Sequence, residues 1–149
     1  MIVKTMRMLS FASLLLLLSP GCATAPRGEP AGGGTPVVQQ LARSTRSWNH
    51  ELLPSYPTGQ PEVTILRIEI PPGARLEPHR HPVINAGILT KGDLTVVTAD
   101  GKTLQLKAGD SIVEVVNTLH YGFNPGTGPA EIVVFYAGEP GKPVTVKER

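Results

Sequence analysis

The sequence is poor in cysteine, in aromatic residues and in helix-forming patterns. Cys22 is the only cysteine of the 149 residues, so no disulfide can form within the chain. Aromatic residues make up 5% of the sequence, and hardly any stretch shows the hydrophobic period of about 3.6 residues that an amphipathic helix requires. A chain of this length accommodates one compact domain with tails.

A strong excess of one charge is also missing. The chain has 14 basic and 12 acidic residues, and Lys4 and Arg7 are the only charged residues before position 22. The rest of the chain therefore carries 12 basic and 12 acidic residues. This balance gives no electrostatic reason to expect binding to nucleic acid or to an anionic membrane surface.

The N-terminal residues have the layout of a targeting segment. Lys4 and Arg7 precede a largely apolar run from Leu9 to Leu18, which is far shorter than the roughly 20 apolar residues that cross a bilayer. Small residues and Cys22 follow this run. We therefore interpret residues 1–21 as a secretory signal peptide and predict that the protein is exported from the cytoplasm.

The end of this segment, LLSPGC at residues 17–22, resembles a bacterial lipoprotein signal. The resemblance implies that Cys22 becomes a lipidated N-terminus, which would make the protein a periplasmic or membrane-anchored lipoprotein. Ser19 stands where such signals have a leucine, so the alternative is secretion after cleavage near residues 22–25. The Pro- and Gly-rich residues 22–36 are predicted to be a flexible tether, which places the folded domain at 37–149.

Hydrophobic alternation with a period of two dominates that domain and predicts an all-β sandwich or barrel. In residues 62–70, the side chains of Leu66, Ile68 and Ile70 share one face. The dipeptide Asp100-Gly101 lies between two β-rich runs and predicts a tight hairpin. Further strands are predicted at 111–116 and 130–138, with a turn at 124–130. Residues 37–48 fit either a strand or a short helix, and residues 47–61 are predicted to cover a sheet edge.

Three of the four histidines form the strongest chemical pattern. His79 and His81 point to the same side of an extended chain, and Pro82 keeps His81 extended. His120 lies past the hairpin, where another strand returns. Three imidazoles brought together in this way predict a divalent metal site, whereas the isolated His50 is interpreted as a packing or hydrogen-bonding residue.

The spacing of these residues resembles the two motifs of the cupin superfamily. The first motif corresponds to Gly73, His79, His81, Asn85 and Gly92, with Asn85 in place of the family's glutamate. The second corresponds to Gly109, His120 and Asn124, with Val115 and Asn117 where the family has proline and glycine. The resemblance covers residues 62–137, and it implies a single-domain double-stranded β-helix, the jelly-roll barrel of cupins.

The resemblance further implies a divalent metal ion held by His79, His81 and His120, with the amide oxygen of Asn85 as a fourth ligand. It does not distinguish Zn, Fe, Ni, Cu or Mn. A neutral amide donates more weakly to hard cations than a carboxylate does, so we expect a weaker site that favours the other four metals over manganese. The nearby Arg75, Glu77 and Glu114 are expected at solvated strand positions, and Asn124 is expected in a turn.

Two functions fit these features. The first is a metal-dependent enzyme acting on a small oxygen-bearing molecule, with dioxygenase-like chemistry as one form. Because the motif glutamate, the obvious general base, is missing, a metal-bound hydroxide would have to serve in such an enzyme. The second is a non-catalytic module that binds a small molecule or a metal, which is slightly favoured because no other acid or base converges near the motifs. Cupins include both classes, so the sequence leaves open whether the protein is an enzyme. A homodimer is implied by the resemblance alone.

Overall fold

Nine β-strands form the fold in the computed structural model, which describes residues 34–148. They are β1 (Glu62–Ile70), β2 (His79–Arg80), β3 (Ile84–Lys91), β4 (Asp93–Thr98), β5 (Thr103–Lys107), β6 (Ser111–Val113), β7 (His120–Phe123), β8 (Ala130–Gly138) and β9 (Val146–Lys147). The described residues contain no helix, and therefore none that is long and apolar enough to cross a membrane. The all-β prediction is confirmed.

The strands form two antiparallel sheets. The first has the order β1-β8-β3-β6 and the second the order β5-β4-β7-β2-β9. Buried side chains from both sheets meet in one hydrophobic core, with Ile70, Leu89 and Ile132 from the first sheet and Leu94 and Val96 from the second. The inner faces of the two sheets therefore pack against each other. Side chains that point inward from either sheet lie in the same interior.

Local sequence patterns account for most of these strands. β1 and β8 have the bounds that the alternation predicts, and they pair along their whole length from Glu62↔Gly138 to Ile70↔Ala130. β4 and β5 form the predicted hairpin, in which Gly101 adopts a φ of 85°. Asn124 lies in the predicted turn, where its Oδ1 accepts a hydrogen bond of 2.8 Å from Gly126 N.

The segment before β1 is irregular. Residues 37–48 form neither the strand nor the helix that their sequence allows, apart from a bridge between Arg46 and Leu52. Trp48 N donates a hydrogen bond of 2.9 Å to Val113 O of β6, an edge strand of the first sheet. The prediction that residues 47–61 cover a sheet edge is thus confirmed at Trp48.

The residues from 38 onward form one compact unit. The predicted signal peptide, Cys22 and most of the predicted tether lie outside the described residues. The division of the chain into 1–21, 22–36 and 37–149 therefore stays a prediction.

Candidate metal centre

The second sheet brings the three predicted histidines together. His79 in β2 pairs directly with His120 in β7, and His81 follows β2 two residues after His79. The ring centroids of His79 and His120 are 4.5 Å apart, and each lies 4.9 Å from that of His81. One nitrogen from each ring lies within 4.8 Å of the other two, so a modest inward shift of the rings would place all three at about 2.1 Å from a shared ion.

Backbone carbonyls orient all three imidazoles in the same way. The Nδ1 atoms of His79, His81 and His120 lie 2.7, 2.9 and 2.9 Å from the carbonyl oxygens of Glu77, Val144 and Thr118. A carbonyl only accepts, so each Nδ1 carries the proton and donates it. Each Nε2 therefore keeps its lone pair, which is the tautomer that binds a metal through Nε2.

Burial keeps these imidazoles neutral. Desolvation lowers the pKa of all three rings, and it lowers the pKa of His81 to about 4. Neutral imidazole is the form that coordinates a metal ion. The cluster is therefore ready to bind a cation at neutral pH without first losing protons.

Asn85 lies on β3 of the opposite sheet and is completely buried. Its Nδ2 donates a hydrogen bond of 3.2 Å to Val83 O, which identifies the other atom of the amide as the oxygen. That Oδ1 is buried and has no hydrogen-bond partner among the described residues. A buried acceptor without a donor costs about 1–3 kcal/mol, so the position suits an oxygen that a cation would satisfy.

Glu114 also faces this site, and its predicted position at a solvated strand residue is wrong. Its exposure is 7%, and its Oε2 lies 3.9 Å from the Nε2 of His120. Burial raises the pKa of Glu114 to about 7, although nearby donors, Val115 N and the Trp48 indole, oppose the shift. The expectation failed because the backbone of Glu114 extends the edge of β6, which turns the side chain inward.

Three side chains of the first sheet form a row across its inner face. Asn85 pairs with Tyr136 of β8 on one side, and Glu114 N donates a hydrogen bond of 3.0 Å to Asn85 O on the other. Tyr136 is buried, its ring centroid lies 5.4 Å from that of His81, and burial raises its pKa to about 12. The histidines of one sheet thus face oxygen-bearing side chains of the other.

The cluster lines a cavity of about 430 Å³. Most of its wall is apolar and comes from both sheets, including Leu66, Ile68, Ile70, Leu94, Val96 and Ile132. Arg75, Glu77 and Lys147 also line the cavity and are exposed, as predicted for Arg75 and Glu77. Glu77 pairs with Lys147 at 2.6 Å, and the Arg75 guanidinium stacks 3.6 Å from the centroid of the Tyr121 ring.

The C-terminal strand contributes to the site outside the motif region that the sequence indicated. β9 pairs with β2 and places Lys147 opposite His79. Val144, just before β9, supplies the carbonyl that orients His81. A backbone carbonyl leaves no side-chain signal in a sequence, so this contribution could not be predicted from residue types.

The donor atoms fit a divalent cation. Three Nε2 lone pairs, the Asn85 Oδ1 and the Glu114 carboxylate face one cavity, and nitrogen and oxygen donors of these kinds suit first-row divalent metals. His50 lies outside the histidine cluster, as predicted. It is exposed at a turn with a φ of 74°, so of its two predicted roles, packing and hydrogen bonding, the first is wrong.

A family model described as a cupin domain matches residues 66–136. Residues 66–136 therefore form a cupin domain. The matched residues begin in β1 and end in β8, and they contain all three clustered histidines, Asn85 and Glu114. A search of curated protein sequences found no match.

Solved structures share this cupin fold. An uncharacterized conserved protein of Klebsiella pneumoniae subsp. pneumoniae MGH 78578 with a double-stranded β-helix domain is 21% identical, with a TM-score of 0.50 over 74% of this chain and 100% of its own. A chain from the crystal structures of the DMSP lyases RdDddP and RnDddQII is 16% identical in sequence. It aligns with a TM-score of 0.51 over 58% of this chain and 44% of the lyase chain. The predicted double-stranded β-helix is confirmed.

An oxalate oxidase in complex with the substrate analogue glycolate is 29% identical, with a TM-score of 0.48 over 57% of this chain. The match covers 45% of the oxalate oxidase chain. This cupin therefore spans less than half the length of that protein and of the lyases.

Proposed function

We propose that this protein is an exported, metal-dependent cupin that acts on a small oxygen-bearing molecule. His79, His81 and His120 hold a divalent ion, and Asn85 adds its amide oxygen. The observation that carries the proposal is the common tautomer of the three rings, because three backbone carbonyls hold the Nδ1 protons and leave an Nε2 lone pair on each of three clustered rings. Histidines that merely packed in a core would not need this shared arrangement.

The surroundings of the cluster determine which molecule fits. A bound divalent ion with open positions supplies Lewis-acid or redox chemistry to an oxygen-bearing ligand. The apolar walls from β1, β4 and β8 hold the body of the ligand and exclude water, which strengthens polar contacts at the histidine end. A compact molecule with an apolar body and one or two oxygen donors at one end matches this cavity.

An enzyme is favoured over a purely binding module by the position of Glu114. The replacement of the motif glutamate by Asn85 removes a carboxylate from the sequence pattern, but Glu114 keeps a buried carboxylate 3.9 Å from His120 Nε2, beside the ion that the histidines would hold. Dioxygenase-like chemistry is the form we expect if the ion is iron, nickel or copper. Zinc would instead indicate hydrolysis or binding.

Export, a lipid anchor at Cys22 and a homodimer are further parts of the proposal. The N-terminal pattern of residues 1–22 supports the first two. Exposed Ile65 and Phe135 support the third, since they are paired neighbours on β1 and β8 and form an apolar area on the outer face of the first sheet.

Metal analysis tests the proposed site. The full chain and the double variant His79→Ala, His81→Ala would be purified in detergent and compared by mass spectrometry of bound metals, with circular dichroism to show that both fold. We expect near-stoichiometric metal in the wild type and almost none in the variant. No metal in the wild type, even after reconstitution with each candidate ion, would overturn the proposed function.

A further inference from the structure

The position of Glu114 relative to Asn85 follows from strand pairing. β3 and β6 pair with Ala86 opposite Val113 and Gly87 opposite Ile112. The hydrogen bond from Glu114 N to Asn85 O, 3.0 Å long, continues that register by one residue. Directly opposed residues in an antiparallel pair point to the same face, so both side chains enter the cavity that the histidines line.

The contacts of Glu114 leave its charge uncompensated. Its Oε2 accepts a hydrogen bond of 3.1 Å from Val115 N, and the Trp48 indole is a second neutral donor nearby. Within the described residues no charged group pairs with it, and the neutral His120 places its Nε2 3.9 Å away. That nitrogen carries a lone pair, because His120 Nδ1 donates to Thr118 O. A carboxylate oxygen and a nitrogen lone pair therefore face each other in a buried space, an arrangement that a cation between them would stabilise.

We infer that Glu114 supplies the carboxylate ligand of this metal site, from the strand neighbouring the position where the cupin pattern has its glutamate. This inference rests on the proposed function, because it presumes an ion at the three histidines. Asn85 and Glu114 then act together, one as a neutral oxygen donor and the other as an anionic one.

The inference changes the expected choice of metal. A carboxylate neutralises part of the charge of the ion and suits manganese and other hard cations, whereas imidazoles and amides alone favour zinc or copper. A site with Glu114 should bind Mn²⁺ well, in contrast to the preference expected from Asn85 alone. Loss of Glu114 should weaken Mn²⁺ binding more than Zn²⁺ binding.

The test compares Glu114→Gln with Glu77→Gln in the full chain. Both glutamates line the cavity, but Glu77 is exposed and paired with Lys147. Mn²⁺ binding would be followed by the electron paramagnetic resonance signal of the free ion, Zn²⁺ binding by competition with a coloured chelator, and coordination by the visible spectrum after Co²⁺ substitution. We expect Glu114→Gln to weaken Mn²⁺ binding by about tenfold or more and to alter the Co²⁺ spectrum, and Glu77→Gln to do neither.

A swap variant tests the cross-strand relationship directly. Asn85→Glu combined with Glu114→Gln moves the carboxylate to the opposite residue of the pair, and we expect it to restore most of the lost Mn²⁺ affinity. The swap variant keeps one carboxylate and one amide at positions 85 and 114. It therefore remains a usable test if the single variant Glu114→Gln does not fold.

The outcomes separate this inference from the function on which it rests. If the wild type binds metal and Glu114→Gln binds Mn²⁺ equally well with an unchanged Co²⁺ spectrum, the role of Glu114 is wrong and the three-histidine site stands. If Glu114→Gln does not fold and the swap variant folds without binding Mn²⁺, the inference is likewise overturned. If the wild type binds none of these three ions and no iron, nickel or copper either, the proposed function itself fails.

Discussion

Asn85 and Glu114 are opposite neighbours on two strands, joined by a hydrogen bond of 3.0 Å from Glu114 N to Asn85 O. Tyr136 pairs with Asn85 from the other side, so these three polar side chains lie in one row on the inner face of the sheet. Two residues directly opposite each other can exchange chemical roles because their side chains start about 5 Å apart and point the same way. A sequence motif specifies only the position of Asn85, so it does not reveal that a carboxylate lies on the opposite residue, Glu114.

Removing the side-chain amide of Asn85 should weaken metal binding. Asn85→Ala deletes a buried Oδ1 that has no donor within the described part of the chain, and we expect Zn²⁺ affinity to fall by about tenfold. Thr64→Ala is the matched control, because Thr64 pairs with Tyr136 in the same row, two strands away from Asn85. Calorimetric titration measures both. Unchanged Zn²⁺ affinity in Asn85→Ala would remove Asn85 from the ligand set.

The metal-free protein should reveal the burial of Glu114 through the pH dependence of its stability. Its pKa of about 7 in the folded state lies above the ordinary value of 4.5, so between these values the folded state binds more protons than the unfolded state. The contribution of Glu114 to stability is therefore fully present below pH 4.5 and is lost as the pH rises through about 7. The loss amounts to about 3 kcal/mol.

Glu114→Gln has no such titration, so its stability relative to the wild type should rise by up to that amount between about pH 4 and pH 8. Urea unfolding of both proteins in the presence of a chelator measures the difference. The lowered pKa values of the three histidines also make stability depend on pH. Both proteins contain these histidines, so their contribution largely cancels when the free energies of unfolding are subtracted. A stability difference that stays constant with pH would show that Glu114 is not desolvated.

The alternation in the sequence predicted the strands well where one face is apolar and the other polar. β1 shows this alternation at residues 66–70, where Leu66, Ile68 and Ile70 alternate with Arg67 and Glu69. β6 is shorter than predicted and ends at Val113, although the hydrogen bond from Glu114 N to Asn85 O continues its register by one residue. Residues 37–48 were ambiguous because their conformation depends on contacts with distant strands and not on local pattern.

The candidate site was predictable where residue type and spacing carry the chemistry. The three histidines satisfy both conditions, and the structure brings them together. Glu114 was missed, although a weak signal was present: it follows Ile112 by two residues, so alternation places a charged residue on an apolar face. The carbonyl of Val144 gave no signal at all, since any residue could provide it.

Two glycines with positive φ should differ sharply in their tolerance of alanine. Gly92 has a φ of 75°, and a Cβ there would lie 2.7 Å from Pro129 O. Gly101 has a φ of 85° and nothing within 4 Å of such a Cβ. Gly101→Ala should cost about 1–2 kcal/mol in backbone strain, and Gly92→Ala about 1–3 kcal/mol more, because the backbone must also shift. Equal losses in thermal unfolding would contradict this.

The N-terminal prediction can be tested independently of the metal site. Cys22→Ser should abolish incorporation of a radiolabelled fatty acid and move the protein from the membrane to the soluble exported fraction, because only the cysteine thiol accepts the lipid. Ser19→Leu is the useful comparison, since it restores the leucine of the lipoprotein pattern and should not reduce labelling. An unlabelled wild type found in the medium would favour simple secretion, and an unprocessed one in the cytoplasm would contradict export.

The C-terminal strand should be needed for metal binding although it contributes no ligand. A chain ending at Pro143 loses the Val144 carbonyl that holds His81 Nδ1 at 2.9 Å, and it loses the pairing of β9 with β2. His81 would then be free to rotate and to exchange its tautomer, so we expect metal affinity to fall by about 10–100-fold. Val146→Ala keeps the backbone of β9 and should bind like the wild type. Circular dichroism establishes that the shortened chain is folded, and wild-type affinity in that folded chain would show that the orientation of His81 is set by the rest of the barrel.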